Sequence, residues 1–263
     1  MADRTRILLL AAGAALVAAL LVVLLARGPS PGSRASSSGE SAESASGSGS
    51  GAGSGSGFDG AALPPGVRAH PFELTALAVP ADAGSAEGGP AGGEISLSRF
   101  ANRVVVLAFL YPGCGPACAL IADQIRGALN ELGRQPTVVI VNAGQAGRAS
   151  QASADARAQS QASAQSQASA DAAARAHMRA RVHRFLQAAG LAGRAYYLTG
   201  SQHQLRAVWR AYGVVPASAG KAKFDEYAQV LLIGREGYER VLFGSEDLTA
   251  EGLAHDIAKL QAG

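Results

Sequence analysis

The apolar positions of this chain fall into three kinds of run, and each predicts a different element. Ile7 to Ala26 (ILLLAAGAALVAALLVVLLA) is a charge-free apolar stretch of 20 residues without a polar face. It is long enough to cross a bilayer core of about 30 Å. Short runs rich in β-branched residues form the second kind: Val104–Leu110 (VVVLAFL), Thr137–Asn142 (TVVIVN), Ala195–Thr199 (AYYLT) and Tyr227–Ile233 (YAQVLLI). Segments that are apolar on both alternating faces predict strands covered by helices on both sides. The third kind repeats near a period of 3.6. It runs through Ile121, Ile125, Ala128 and Leu129; Met178, Val182, Phe185 and Leu186 within 177–189; Leu205, Val208, Trp209 and Tyr212 after a capping Ser201; and Leu253, Ile257 and Leu260 within 249–261.

Shorter signals complete the order. His70–Thr75 and Glu94–Leu97 read as a hairpin joined by a Gly-rich loop, and Arg240–Phe243 pairs with Tyr227–Ile233 around the turn Arg235-Glu236-Gly237. Gly213 to Lys223 reads as a loop. An opening hairpin, then strand–helix–strand–helix–strand–helix, then a hairpin and a helix predicts parallel pairs with a terminal antiparallel hairpin.

Composition changes this picture in two places. Of the chain's 33 glycines many lie between Gly28 and Gly57, a Gly/Ser/Ala/Pro stretch that cannot bury enough surface to fold and reads as a tether. Around 145–174 the hexapeptide QSQASA occurs twice in succession, a low-complexity insertion with no apolar stripe, expected to be a solvated, frayed extension of the next helix. The expected division is therefore a cytoplasmic tail at 1–6, a transmembrane anchor at 7–26, a linker at 27–57 and one folded domain at 58–263 carrying that insertion. No good cleavage site follows the apolar run, which favours an uncleaved anchor over a signal peptide. Arg4, Arg6 and the amino terminus place the tail in the cytoplasm, so the domain is expected on the other side of the cell membrane, single-pass, where disulfides persist. The net charge is only +3 and the basic residues are scattered along the sequence, giving no signal for nucleic acid.

The chain has two cysteines, Cys114 and Cys118, both at the strand-to-helix junction after Leu110. Pro116 suits the first helical turn, which leaves Cys114 in the entry loop and Cys118 about one turn in. Unpaired N–H groups there favour thiolates. Such a pair can close a disulfide, attack another disulfide, or hold a soft ion such as Cu(I). The plainer alternative is a structural disulfide.

A strand ending in FLY, then Cys-x-x-x-Cys, then ALIADQIRGALNEL resembles the Sco/SenC family, as do YLTG, VWRAYGV, AQVLLI and the LTAEGLAHDI ending. The resemblance covers about 68–263, apart from the insertion. It implies a thioredoxin-like three-layer α/β fold with a central mixed sheet, here preceded by a transmembrane helix. It implies copper as the metal, with Cys114 and Cys118 as ligands, and as partner the copper subunit of cytochrome c oxidase or another cysteine-bearing client. The family also uses one distant histidine, in a pattern similar to F-E-H-S-A, and this chain has Phe224-Asp225-Glu226-Tyr227-Ala228. Glu226 thus stands where the resemblance implies an imidazole, and a carboxylate is a hard donor ill suited to Cu(I). The five histidines are His70, His177, His183, His203 and His255. None matches that position, and His203 is the best-placed substitute. The missing imidazole gives weight to a second expectation, a thiol–disulfide oxidoreductase acting through the same two cysteines.

Overall fold

A computed structural model describes residues 57–82, 92–144 and 161–263. The expected tail, the anchor at Ile7–Ala26 and the linker up to Ser56 lie outside the described residues, as does the insertion from 145 to 160. Among the described residues no helix is long and apolar enough to cross a membrane.

The strands are β1 (Ala61–Ala62), β2 (Glu73–Ala78), β3 (Glu94–Ser96), β4 (Val105–Leu110), β5 (Thr137–Asn142), β6 (Ala195–Thr199), β7 (Gln229–Ile233) and β8 (Glu239–Gly244). They form one sheet in the order β1-β8-β7-β4-β5-β6-β2-β3. β4, β5 and β6 run parallel, and every other neighbour is antiparallel. Every residue of β4 and β5 is buried. Both alternating faces are therefore covered, as the apolar runs predicted, and the mixed sheet fits a thioredoxin-like fold.

The helices are α1 (Pro116–Glu131), α2 (Gln161–Ala188), α3 (Gln202–Ala211), α4 (Lys221–Glu226) and α5 (Ala250–Ala262). α1 buries Ile121, Ile125, Ala128 and Leu129. It packs so closely on α5 that a Cβ at Gly127 would stand 2.6 Å from that of Ala250. α3 opens with a capping box in which Ser201 and Gln204 satisfy each other's backbone N–H groups. Thr249 caps α5 by accepting from the Gly252 N–H.

Two elements depart from the sequence reading and one follows it. α2 begins at Gln161, so the later part of the repeat extends the next helix as expected, and residues 168–170 and 172–177 of it are exposed. Ala and Gln sustain helix by intrinsic preference where no stripe exists to be read. The opening strand is Glu73–Ala78 instead of His70–Thr75, with Leu74 and Ala76 turned inward; Pro71 offers no N–H to a ladder. The expected loop at 213–223 contains a 3-10 turn (Ala217–Ala219) and runs into α4, whose one buried residue is Phe224. Six residues are too few to show a period.

The parallel register gives the sheet two unlike edges. Leu110 lies opposite Asn142, and Val141 opposite Leu198, so β4, β5 and β6 end together. Val105 lies between Thr137 and Ile233, so the beginnings of β4 and β5 and the end of β7 share the other edge.

Candidate functional site

The cysteines sit at the edge where β4, β5 and β6 end. Gly113, at φ 93°, takes a backbone conformation open mainly to glycine. The Cys114 N–H donates to the Tyr111 carbonyl at 3.1 Å, closing the turn. Gly115 is the N-cap and Pro116 begins α1.

Other elements brace this loop. Arg181 of α2 donates to the Pro112 carbonyl at 3.2 Å. The Tyr197 hydroxyl on β6 lies 3.3 Å from the Leu110 carbonyl and 3.2 Å from Asn142 Oδ1. Trp209 donates to the Asn142 carbonyl at 3.0 Å, so the single tryptophan is a buried brace. α4 closes against the loop from another direction. A Cβ at Gly115 would lie 2.5 Å from Lys221 Cε and 3.2 Å from Asp225 Oδ2, which shows how near α4 comes to the loop. The Tyr111 and Phe224 rings meet edge to face at 5.1 Å.

Cys114 and Cys118 are joined in a disulfide with their Cα atoms 5.9 Å apart. They differ in access: Cys118 is 1% exposed, whereas Cys114 is half-buried. Cys114 is therefore the sulfur an incoming group meets first. Beside the disulfide lies an open groove of about 710 Å³ between α1 and the end of α2, lined by Ala119, Leu120, Phe185 and Gly190 as well as both cysteines. Leu120 is 42% exposed, unusual for a large apolar side chain. Asp123 and Arg126 form an ion pair along the groove.

The remaining predicted site residues are exposed or engaged elsewhere. Glu226 is exposed at the end of α4. His203 is exposed in the first turn of α3 and shares a pocket with His70, Glu73 and Tyr212, none of them near a sulfur in that lining. His177 and His183 are exposed on α2. His255 bonds Asp59 and Asp256, each at 3.1 Å, and these three are the group of His, Cys, Asp or Glu ligand atoms within 4.8 Å of one another among the described residues. Asp256 is fully buried and accepts the Asp59 and Gly60 N–H groups, so this cluster ties the entering chain to α5.

Sequence reasoning passed over Asp225, which the fold places against the loop. Its Oδ1 is buried without a hydrogen-bond partner. Burial, and then the charge of Asp225, push the Tyr111 phenol above its ordinary pKa. No periodic signal in a six-residue helix could have marked it. Two disulfide-bonded sulfurs of unequal access thus stand at a helix start, braced by buried aromatics, at the strand ends of a sheet that fits a thioredoxin-like fold.

No protein-family model matches the sequence, and no curated protein matches it. Solved structures of the Sco family are similar to the chain. Yeast Sco1 is 13% identical, with a TM-score of 0.47 over 74% of this chain and 95% of that one. Bradyrhizobium japonicum ScoI with copper bound is 14% identical, with a TM-score of 0.44 over 74% and 99%. The thioredoxin domain of a thiol-disulfide oxidoreductase from Bacteroides vulgatus is also similar, at 14% identity and a TM-score of 0.43 over 75% and 97%.

Proposed function

We propose that this chain is a membrane-anchored protein of the Sco/SenC type that serves copper-site assembly in cytochrome c oxidase through dithiol chemistry at Cys114 and Cys118. The observation that carries it is the unequal exposure of two bonded sulfurs at the strand–helix corner. In the reduced protein the Cys114 thiolate attacks a client disulfide, and the sulfur it displaces leaves as a thiolate that takes up a proton. The Cys118 thiolate then attacks Cys114 in the mixed disulfide and releases the second client sulfur. Two electrons pass to the client, which becomes a dithiol, while Cys114–Cys118 closes. A dithiol donor returns the pair to its reduced state.

Copper carriage is the second reading, favoured by two sulfurs within one helical turn of each other. Cys114 and Cys118, once reduced, are soft donors that fit Cu(I) as cargo. Glu226 fits poorly as a third donor, being a carboxylate exposed to water. One experiment addresses both readings. The reduced protein is titrated anaerobically with Cu(I) beside Cys118→Ser, and each is mixed with a copper-subunit peptide carrying its disulfide. Wild type is expected to reduce the peptide, and Cys118→Ser to stall as a mixed disulfide at Cys114. Glu226→His is expected to tighten Cu(I) binding about tenfold, or 1.4 kcal/mol. If wild type neither reduces the peptide nor binds Cu(I), the disulfide is structural and the proposal fails.

A further inference from the structure

The edge of the sheet opposite the cysteines gathers arginines that are scattered in the sequence. Arg103 precedes β4, Arg134 precedes β5, Arg194 precedes β6 and Arg235 follows β7, while Arg68 bridges to Tyr238 in the β7–β8 turn. Each comes from a different loop, so strand order and register, parallel and antiparallel, bring them together. Among the described residues, the acidic groups at this edge are Glu236 in the β7–β8 turn, Glu131 at the end of α1 and Asp82 after β2. Arg194 donates to Asn130 and Arg68 stacks over Tyr238, whereas Arg103 and Arg235 extend into solvent. Arg68, Arg103 and Arg235 line one cavity of about 360 Å³ together with the single carboxylate Glu236, which pairs with Arg240; Asn102 and Ser98 also line it, and Leu97, Phe100 and Ile233 supply apolar surface.

The chain enters the domain at this same edge. Lys259, in the last turn of α5, donates to the Gly57 carbonyl at 2.7 Å. Two residues on, Gln261 donates to the Arg134 carbonyl at 3.2 Å. Residue 57 is where the Gly/Ser tether ends, and the apolar run Ile7–Ala26 lies at its other end. A flexible tether arriving beside a row of guanidinium groups leaves them within reach of whatever holds it.

We propose that this arginine edge docks on the headgroups of anionic phospholipid, with a phosphodiester seated among Arg68, Arg103 and Arg235. Guanidinium pairs bind phosphate through paired N–H donors, and basic residues held near an anionic leaflet add attraction cumulatively. Docked this way, the domain turns its cysteine edge away from the bilayer, toward a client. The inference rests on the anchored reading above.

The test uses the full chain reconstituted in nanodiscs of phosphatidylcholine, with or without phosphatidylglycerol, followed by hydrogen exchange. Amides at 101–104 and 234–237 are expected to exchange at least about fivefold more slowly in the anionic discs, the factor one basic contact supplies. High salt and the exposed-site variant R103E/R235E are expected to abolish that protection, with R103Q/R235Q intermediate. Labelling of reduced Cys114 by a maleimide is expected to be equally fast in both discs. Equal exchange in the two lipids overturns the proposal, as does protection that survives R103E/R235E. Equal protection by soluble glycerol phosphate in neutral discs assigns the cavity to a free phosphate compound and also overturns it. Flotation with vesicles separates the two readings. A chain that stays on neutral vesicles in high salt is anchored whatever its edge does. One that floats only on anionic vesicles at low salt lacks the anchor yet docks as proposed.

Discussion

Tyr197 and Tyr212 show how single residues hold this site. Both are buried, and both hydroxyls donate inward, Tyr197 toward Leu110 and Asn142 and Tyr212 to the His70 carbonyl at 2.7 Å. Burial raises both phenols well above their ordinary 10.0; the Arg181 charge offsets part of this at Tyr197, and Glu239 adds to it at Tyr212. The folded pKa exceeds the unfolded one, so this contribution is complete below the unfolded value and is lost as pH rises past it. A urea midpoint that is flat to about pH 9 and falls above about pH 10 is the expected result. Tyr197→Phe with Tyr212→Phe is expected to flatten that alkaline fall, while each costs about 1 kcal/mol at neutral pH for its lost hydrogen bond. A fall of the same steepness in the double variant would assign it to other groups. Gly115 marks the same contact zone, where an added Cβ would displace the flexible end of Lys221 and stand 3.2 Å from Asp225 Oδ2.

At the scale of elements, α2 and α4 do what their composition does not announce. Residues 168–170 and 172–177 of α2 are exposed, and the helix then reaches the cysteine loop through Arg181 and Phe185. Its exposed part offers nothing to the core. Deleting Gln151 to Ala170 is therefore expected to change unfolding free energy by less than about 1 kcal/mol, since closure entropy varies only logarithmically with loop length. A loss of several kcal/mol in denaturant titration would show that the repeat packs on the domain. The cap of α3 is a sharper dependence. Ser201→Ala removes the hydroxyl that accepts the Gln204 N–H and is expected to cost about 1 kcal/mol by thermal melting.

For the whole molecule, the core runs from Phe72 to Leu260 within the segment that follows the tether. A fragment from Phe58 to Gly263 is therefore expected to stay in solution without detergent, checked by sedimentation; a fragment that needs detergent to remain monomeric would refute the division into anchor and domain. The two edges of the sheet give the domain a direction, with thiols at one and guanidinium groups at the other.

Much of this was legible without coordinates. The runs at Thr137–Asn142 and Ala195–Thr199 mark two strands to the residue, because a strand buried on both faces must be apolar throughout. Cys-x-x-x-Cys after such a strand, with proline at the second residue between, marks the helix entrance and both sulfurs for the same local reasons. What the sequence could not decide depends on distance across the fold. Whether Glu226 or His203 approaches the sulfurs is set by where α4 and α3 come to rest, and both residues rest in solvent. That Asp225 is carried under the cysteine loop, and that five arginines from five loops share one edge, follows from strand order and register. Those are properties of long-range pairing, which a local pattern of apolar and polar residues does not encode.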